Sequence, residues 1–272
     1  RLNAWLLKRH CNIRVVERLN MTRHKTFLYP TRWKCLDRYS AGWIDHFIVV
    51  SKTLRQQFLA RGYPESKLSV IYNGVDNVDR RVPSTLKSEL GLADETPVIG
   101  TVGRLTSQKG MDIFIKSAAG ISRVEPDVHF VIAGQGELQK SLKRLAVSYG
   151  IDDKIHWLGY REDVQNVLTG IDVLAVLSRW EPFANIVLEA MAVGCPLVTT
   201  NIGGNAELIK DGVNGVVVPL ENPFETAKAM KRLINDKDKC HSLRQEAIRT
   251  VQEFSVQKMV HNHEQIYKAL LE

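Results

Sequence analysis

The stretch Ser178-Arg-Trp-Glu-Pro-Phe-Ala-Asn-Ile-Val-Leu-Glu-Ala-Met-Ala-Val-Gly194 decides how the rest of the chain is read. It follows the apolar run Val173 to Leu177, opens as a polar loop and becomes an apolar helix that stops at Gly194, with Pro196 just beyond. Glycine followed by proline is a good helix stop signal. The reading is strand, loop, helix, and in a parallel α/β sheet that crossover places the loop and the helix N-terminus at the carboxyl edge, where ligands bind. Glu181 and Glu189 lie eight residues apart, one in the loop and the other about two helical turns on, so both can border one pocket. Backbone N–H groups near Ala184 to Ile186 are expected to face an anion there.

Outward from this stretch, strands and helices alternate from residue 95 onward, the pattern of a doubly wound parallel sheet. Strands are expected at Val98 to Val102, Val128 to Ala133, Ile155 to Leu158, Val173 to Leu177, Leu197 to Thr200 and Gly215 to Val218. Helices are expected to begin near Gly110, Glu137, Glu162, Ala184, Gly204 and Pro223, with two more over Lys239 to Glu253 and Val256 to Leu271. Upstream, a helix is read over Arg1 to His10, a strand over Ile13 to Val16 and a helix over Trp33 to Ala41. A better-defined unit follows, with strand Asp45 to Val50, helix Ser51 to Arg61 capped by Ser51 and stopped by Gly62, and strand Leu68 to Ile71.

Three further loops carry chemistry at the same edge. Gly103-Arg-Leu-Thr-Ser-Gln-Lys-Gly110 follows the first strand of the repeating part, and Arg104 as a planar fork and Lys109 as a point charge can each meet a pyrophosphate. Standing alone, the same pair reads as solvated surface charge. Gly134-Gln-Gly136 is shorter than a dinucleotide fingerprint and reads as a tight turn that lets a nucleotide or loop come close, so Gly134 is assigned to the pocket lining. Tyr160 and Arg161 follow the third strand; Trp157, just before them, reads as core.

Glu181 and Glu189 sit within Glu-Pro-Phe-Ala-Asn-Ile-Val-Leu-Glu-Ala-Met-Ala-Val-Gly-Cys-Pro-Leu-Val-Thr-Thr, residues 181–200, with Ser178 before it and Gly203, Gly204 and Glu207 after it. This E-x7-E text closely resembles the signature of the retaining glycosyltransferases of family four, whose GT-B fold has two Rossmann-like domains. The resemblance runs from about Val49 to the C-terminus. It implies transfer of a sugar from a nucleoside diphosphate sugar, UDP-linked by preference, to a saccharide or lipid-linked hydroxyl with retention, in the synthesis of cell-envelope polysaccharide, lipopolysaccharide or glycolipid. Arg104, Lys109 and Glu181 take the catalytic roles in this reading, the two cations holding the diphosphate without a bound metal or other cofactor. Gly103, Gly134, Ser178, Phe183, Ala184, Asn185 and Ile186 line the donor pocket, Tyr160 and Arg161 lie on the base-binding loop, and Glu189 accepts from ribose hydroxyls. Ala184 stands where many relatives have glycine, so a positive φ there would be strained.

The resemblance also implies domain organisation. Tyr72-Asn-Gly-Val-Asp76 is similar to the family's hinge, which makes residues 1–76 the end of an acceptor-side Rossmann-like domain, 77–94 a linker, 95–254 the complete nucleotide-sugar domain and 255–272 a helix crossing back. A full first domain would need roughly 150 residues, so an upstream segment is expected, removed or carried by a second chain. No match to the family's first-domain glycine loop or histidine is assigned. Two rival readings are a nucleotide-sugar epimerase of the same shape and a non-catalytic nucleotide-sugar-binding subunit.

Of the net charge of +7, the first 38 residues carry +8, with ten Lys and Arg against Glu17 and Asp37. Three of the five tryptophans, Trp5, Trp33 and Trp43, fall at this end. Basic residues mixed with amphipathic aromatics suit the anionic cytoplasmic face of a membrane, at about 1 kcal/mol per Lys or Arg near the headgroups. The same composition also suits a solvated basic face, and nucleic acid is disfavoured because no recognition motif is present. Cys11, Cys35, Cys195 and Cys240 have no C-x-x-C spacing and read as reduced cytosolic thiols. Sedimentation with anionic vesicles is expected to carry the protein down at low salt and release it at high salt; equal recovery with neutral vesicles would leave the basic segment a solvated surface.

Overall fold

The computed structural model describes residues 13–19, 41–76, 78–80 and 82–272. The chain forms two compact units, Arg1–Gly74 with Phe254–Glu272, and Val75–Glu253. The helices expected over Arg1 to His10 and over residues 33–40 lie outside the described residues, as do Trp5 and Trp33.

In the first unit β1 (Val16–Leu19), β2 (His46–Val49) and β3 (Leu68–Val70) form a parallel sheet in the order β1-β2-β3, with Val16 opposite His46 and Phe47 opposite Leu68. The strand expected over Ile13 to Val16 runs later because its partner starts at His46. The preceding Asp45 instead takes the Val15 N–H on its carboxylate at 2.7 Å and donates its own N–H to the Val15 carbonyl at 2.9 Å. Between β2 and β3 runs α1 (Lys52–Ala60), N-capped by Ser51, whose hydroxyl accepts from the Leu54 N–H at 3.1 Å. Its buried Phe58 meets Tyr63 edge to face, and Tyr63 meets Phe47 the same way.

The second unit begins with α2 (Leu86–Glu89), a short helix inside the segment read as a linker. Its anchor is Leu86, fully buried, and Ser84 just ahead of it donates to the Asn166 carbonyl at 2.7 Å. Beyond it the elements alternate: β4 (Val98–Val102), α3 (Met111–Ser122), β5 (His129–Ala133), α4 (Gln139–Tyr149), β6 (Ile155–Gly159), α5 (Val164–Gly170), β7 (Val173–Val176), α6 (Asn185–Val193), β8 (Leu197–Thr200), α7 (Asn205–Leu208), β9 (Val216–Val218), α8 (Pro223–Asn235) and α9 (Lys237–Val251). The six strands are all parallel, in the order β6-β5-β4-β7-β8-β9.

Inner strands of a parallel sheet are covered on both faces and read as continuous apolar runs, as Val-Leu-Ala-Val of β7 does with every residue buried. On one face α3 packs against the sheet, with Phe114 and Phe130 edge to face at 6.2 Å. Helix α6 ends where the sequence places its stop, with Gly194 at φ 77 donating to the Ala190 and Met191 carbonyls. The chain returns to the first unit in α10 (Val256–Leu271), capped by Ser255. There Phe254 stacks edge to face on Tyr72 at 5.3 Å, and a Cβ on Gly74 would fall 2.6 Å from the Ser255 carbonyl. No helix among the described residues is long and apolar enough to cross a membrane.

Phe114 is fully buried at the centre of the larger unit. Phe114→Ala is expected to cost about 3–5 kcal/mol, read as a lower urea midpoint at nearly constant slope. A loss below 1 kcal/mol would show that this ring does not anchor the core.

Candidate functional site

Because all six strands of the larger sheet are parallel, the loops after each of them open at one edge. The strand order reverses between β4 and β7, and that switch point is where open α/β sheets bind ligands. The loops after β4 and β7 carry the Arg104–Lys109 and Ser178–Glu181 segments. Glycines let these loops lie backbone against backbone. A Cβ on Gly134 would sit 1.9 Å from the Gly103 carbonyl oxygen, one on Gly110 2.1 Å from the Leu177 oxygen, and one on Gly203 1.7 Å from the Glu181 oxygen. Each of the three also has positive φ, so no other residue fits without moving the neighbouring loop.

On this floor Lys109 Nζ donates to Glu181 Oε2, an ion pair whose side chains are 17% and 8% exposed. The Ser178 hydroxyl, fully buried, donates to the same oxygen at 3.4 Å. Among the described residues, Oε1 of Glu181 has no partner. The Lys109 stem lies along Gly103, with its Cδ 3.6 Å from where a Cβ would be. Sequence reading sends Lys109 to a diphosphate and Glu181 to a sugar as separate roles, whereas the structure couples them. The signal it passes over is Gln108, which is buried, accepts from the Arg179 N–H at 2.7 Å and donates from its side chain to the Trp180 carbonyl at 3.0 Å. Gln108 and Arg179 thus clasp the two loops together.

The remaining expected residues spread around this centre. Arg104, next to Gly103, is exposed, and its guanidinium has no partner among the described residues. Tyr160 is 68% exposed on the β6 loop. The Arg161 guanidinium gives three of its five N–H groups to its neighbours, both oxygens of Asp163 at 2.7 and 2.6 Å and Glu89 at 2.9 Å. Phe183 and Ala184 are buried, and Ala184 is the N-cap of α6 at φ −90; the position does not demand positive φ, and alanine fits it without strain. Asn185 and Ile186 form the first turn of α6. Glu189, one turn further on, is half-buried and has no counter-charge or hydrogen-bond partner among the described residues; desolvation pushes its carboxyl up from the ordinary range. No three His, Cys, Asp or Glu side chains are grouped for a metal among the described residues. Cys195 and Cys240 are free thiols, and burial pushes that of Cys195 up to about 12.

A parallel sheet in the order β6-β5-β4-β7-β8-β9 with crossover helices belongs to the class of doubly wound, Rossmann-like α/β proteins. Residues 84–250 match the family model described as glycosyl transferases group 1, and residues 3–78 match that of glycosyltransferase family 4. The chain belongs to this glycosyltransferase family and has its GT-B type of fold. It is 33% identical over 198 residues to an uncharacterized glycosyltransferase of Methanocaldococcus jannaschii, covering 70% of this chain and 50% of that one. It is 35% identical over 179 residues to the UDP-Gal:alpha-D-GlcNAc-diphosphoundecaprenol alpha-1,3-galactosyltransferase of Escherichia coli, covering 63% and 46%. Among solved structures, HepE of Anabaena in complex with UDP superposes with a TM-score of 0.86 at 25% identity, over 99% of this chain and 75% of that one. The chain spans about half the length of the curated relatives it matches.

Glu189 yields a prediction with a definite sign. A carboxyl whose pKa is raised by folding holds its proton more tightly folded than unfolded, so the ionised form costs stability above that pKa, and the cost disappears as pH falls below the unfolded value. Glu189→Gln is therefore expected to melt higher than the parent at about pH 8, with the gap closing as pH approaches about 4. A variant that melts lower at every pH would mean that the carboxylate has a stabilising partner.

Proposed function

We propose that the larger unit is the donor-binding half of a retaining glycosyltransferase that passes a sugar from a nucleoside diphosphate sugar, UDP-linked by preference, to a saccharide or lipid-linked hydroxyl. The observation that carries this reading is the Lys109–Glu181 pair at the switch point, on a floor of glycine backbone. In transfer, the bond from the sugar's anomeric carbon to the diphosphate breaks, the acceptor hydroxyl oxygen forms the new bond, and its proton passes to the departing diphosphate. Negative charge gathers on the leaving group and positive charge on the sugar, so the protein's task is electrostatic and positional. Lys109 has three donors and can serve Glu181 and a diphosphate oxygen together. Arg104 adds a fork from the neighbouring position. The open Oε1 of Glu181 is suited to a sugar hydroxyl, and the partnerless Glu189 to ribose hydroxyls.

Charge-assisted contacts of about 1.5–3 kcal/mol each accelerate the step only as far as they strengthen while charge develops. The roles need no metal, since two cations face the diphosphate. The named activity of the E. coli relative and the UDP held by HepE support a UDP-sugar donor. An acceptor built into envelope polysaccharide, and a peripheral position on an anionic membrane, are the surroundings in which such a donor half would work.

A thermal-shift panel of UDP, GDP, ADP and their sugars is expected to stabilise the chain with one base class above the others. In calorimetry with that nucleotide, Lys109→Ala and Glu189→Ala are each expected to weaken binding about ten-fold, as a charged contact of ~1.4 kcal/mol requires. No shift with any nucleotide, or unchanged affinity in both folded variants, would remove the donor site from this edge. Epimer formed without transfer would point instead to an epimerase.

A further inference from the structure

Lys109 does not reach Glu181 unaided. Its turn, the 3-10 segment Ser107–Lys109, is gripped from the β7 loop by one side chain. The Arg179 guanidinium donates to the Ser107 carbonyl at 2.7 Å, to both oxygens of Asp112 at 2.9 and 2.8 Å, and to Glu221 at 2.7 Å. One planar fork therefore ties together the turn before Lys109, the first turn of α3 and the β9–α8 loop. Burial pushes the Asp112 carboxyl up, but the Arg179 hydrogen bonds and charge, its own backbone N–H and the Lys116 charge together outweigh it and hold the group below the ordinary range.

The third partner is unusual. Among the described residues Glu221 is the one non-glycine with positive φ, at 55. A glycine would take that conformation freely, whereas a residue with a side chain is strained in it. What Glu221 gains in return is its carboxylate on Arg179.

We propose that Arg179, braced by Asp112 and Glu221, is a positioning residue for donor binding: it sets the Lys109 ammonium at the switch point by fixing the turn that carries it. Arg179 acts through the turn, since its side chain makes no hydrogen bond to Lys109 Nζ or to the Glu181 carboxylate. The role rests on Lys109 as a donor contact and is tested together with it. A lysine at 179 keeps the charge but is a point and not a fork, so it cannot span Ser107, Asp112 and Glu221 at once.

The test is a double-variant cycle on the full chain, using calorimetry with whichever of UDP, GDP or ADP gives the largest thermal shift. Residues that work as one unit are non-additive. Lys109→Ala and Arg179→Lys are each expected to weaken binding about ten-fold, and the double variant to bind within about two-fold of Lys109→Ala alone. Glu221→Gly supplies a readout that a structural role would not move: melting temperature is expected to hold or rise as strain is relieved, while affinity falls. If Lys109→Ala weakens binding and Arg179→Lys does not, or if their effects add in full, the positioning role is overturned and the donor site stands. If Lys109→Ala changes nothing, Lys109 is not a donor contact and the positioning role is overturned, while the donor site itself falls only if Glu189→Ala is also without effect.

Discussion

The ligand-facing edge depends on backbone lying directly on backbone. Gly103 and Gly134, Leu177 and Gly110, and Glu181 and Gly203 approach so closely that a single methyl group would drive them apart. Side chains at these positions would have kept the β4, β5, β7 and β8 loops apart and let water between them. Without them the loops form a continuous floor, and the Lys109–Glu181 pair rests on it largely out of solvent. Coulomb interactions strengthen as the local dielectric falls, so charge placed there acts with more force on a bound anion than the same charge on an open surface.

That floor carries costs elsewhere on the same edge. Glu189 is half-buried with no counter-charge among the described residues, and Glu221 holds a backbone conformation that favours glycine. Proteins keep such features where function opposes stability. Their grouping around one switch point, while the core under α3 is apolar and free of them, marks the edge as the place where this chain gives up stability.

Much of this was readable from local pattern. Strands β4 and β8 and helix α10 begin and end at the residues expected, because apolar runs bounded by glycine, proline or a capping serine carry their own limits. The site's outline was readable for the same reason, since charged residues between a strand and a helix of a parallel sheet can only lie at its edge. Pairing was not. Glu181 and Lys109 are 72 residues apart, and nothing around either names the other. Arg179 lies in the decisive stretch with no role legible from it, because its partners Asp112 and Glu221 come from two other segments. The Arg161 ion pairs with Asp163 and Glu89 were equally out of reach, since Glu89 comes from a segment 72 residues earlier. The start of β1 slipped because a strand's limits depend on where its neighbour begins, which its own residues do not record.

The two units differ in how they are threaded. The larger unit is one uninterrupted segment, whereas the other is assembled from both ends of the described chain, with the Arg14 side chain bonded to the Leu270 carbonyl at 3.1 Å and Gly74 lying against Ser255. During synthesis from the amino terminus, the larger unit is complete before the last helix exists. The first unit is closed last: the contacts that Arg14 and Gly74 make with the final segment cannot form until every residue of the larger unit has been made.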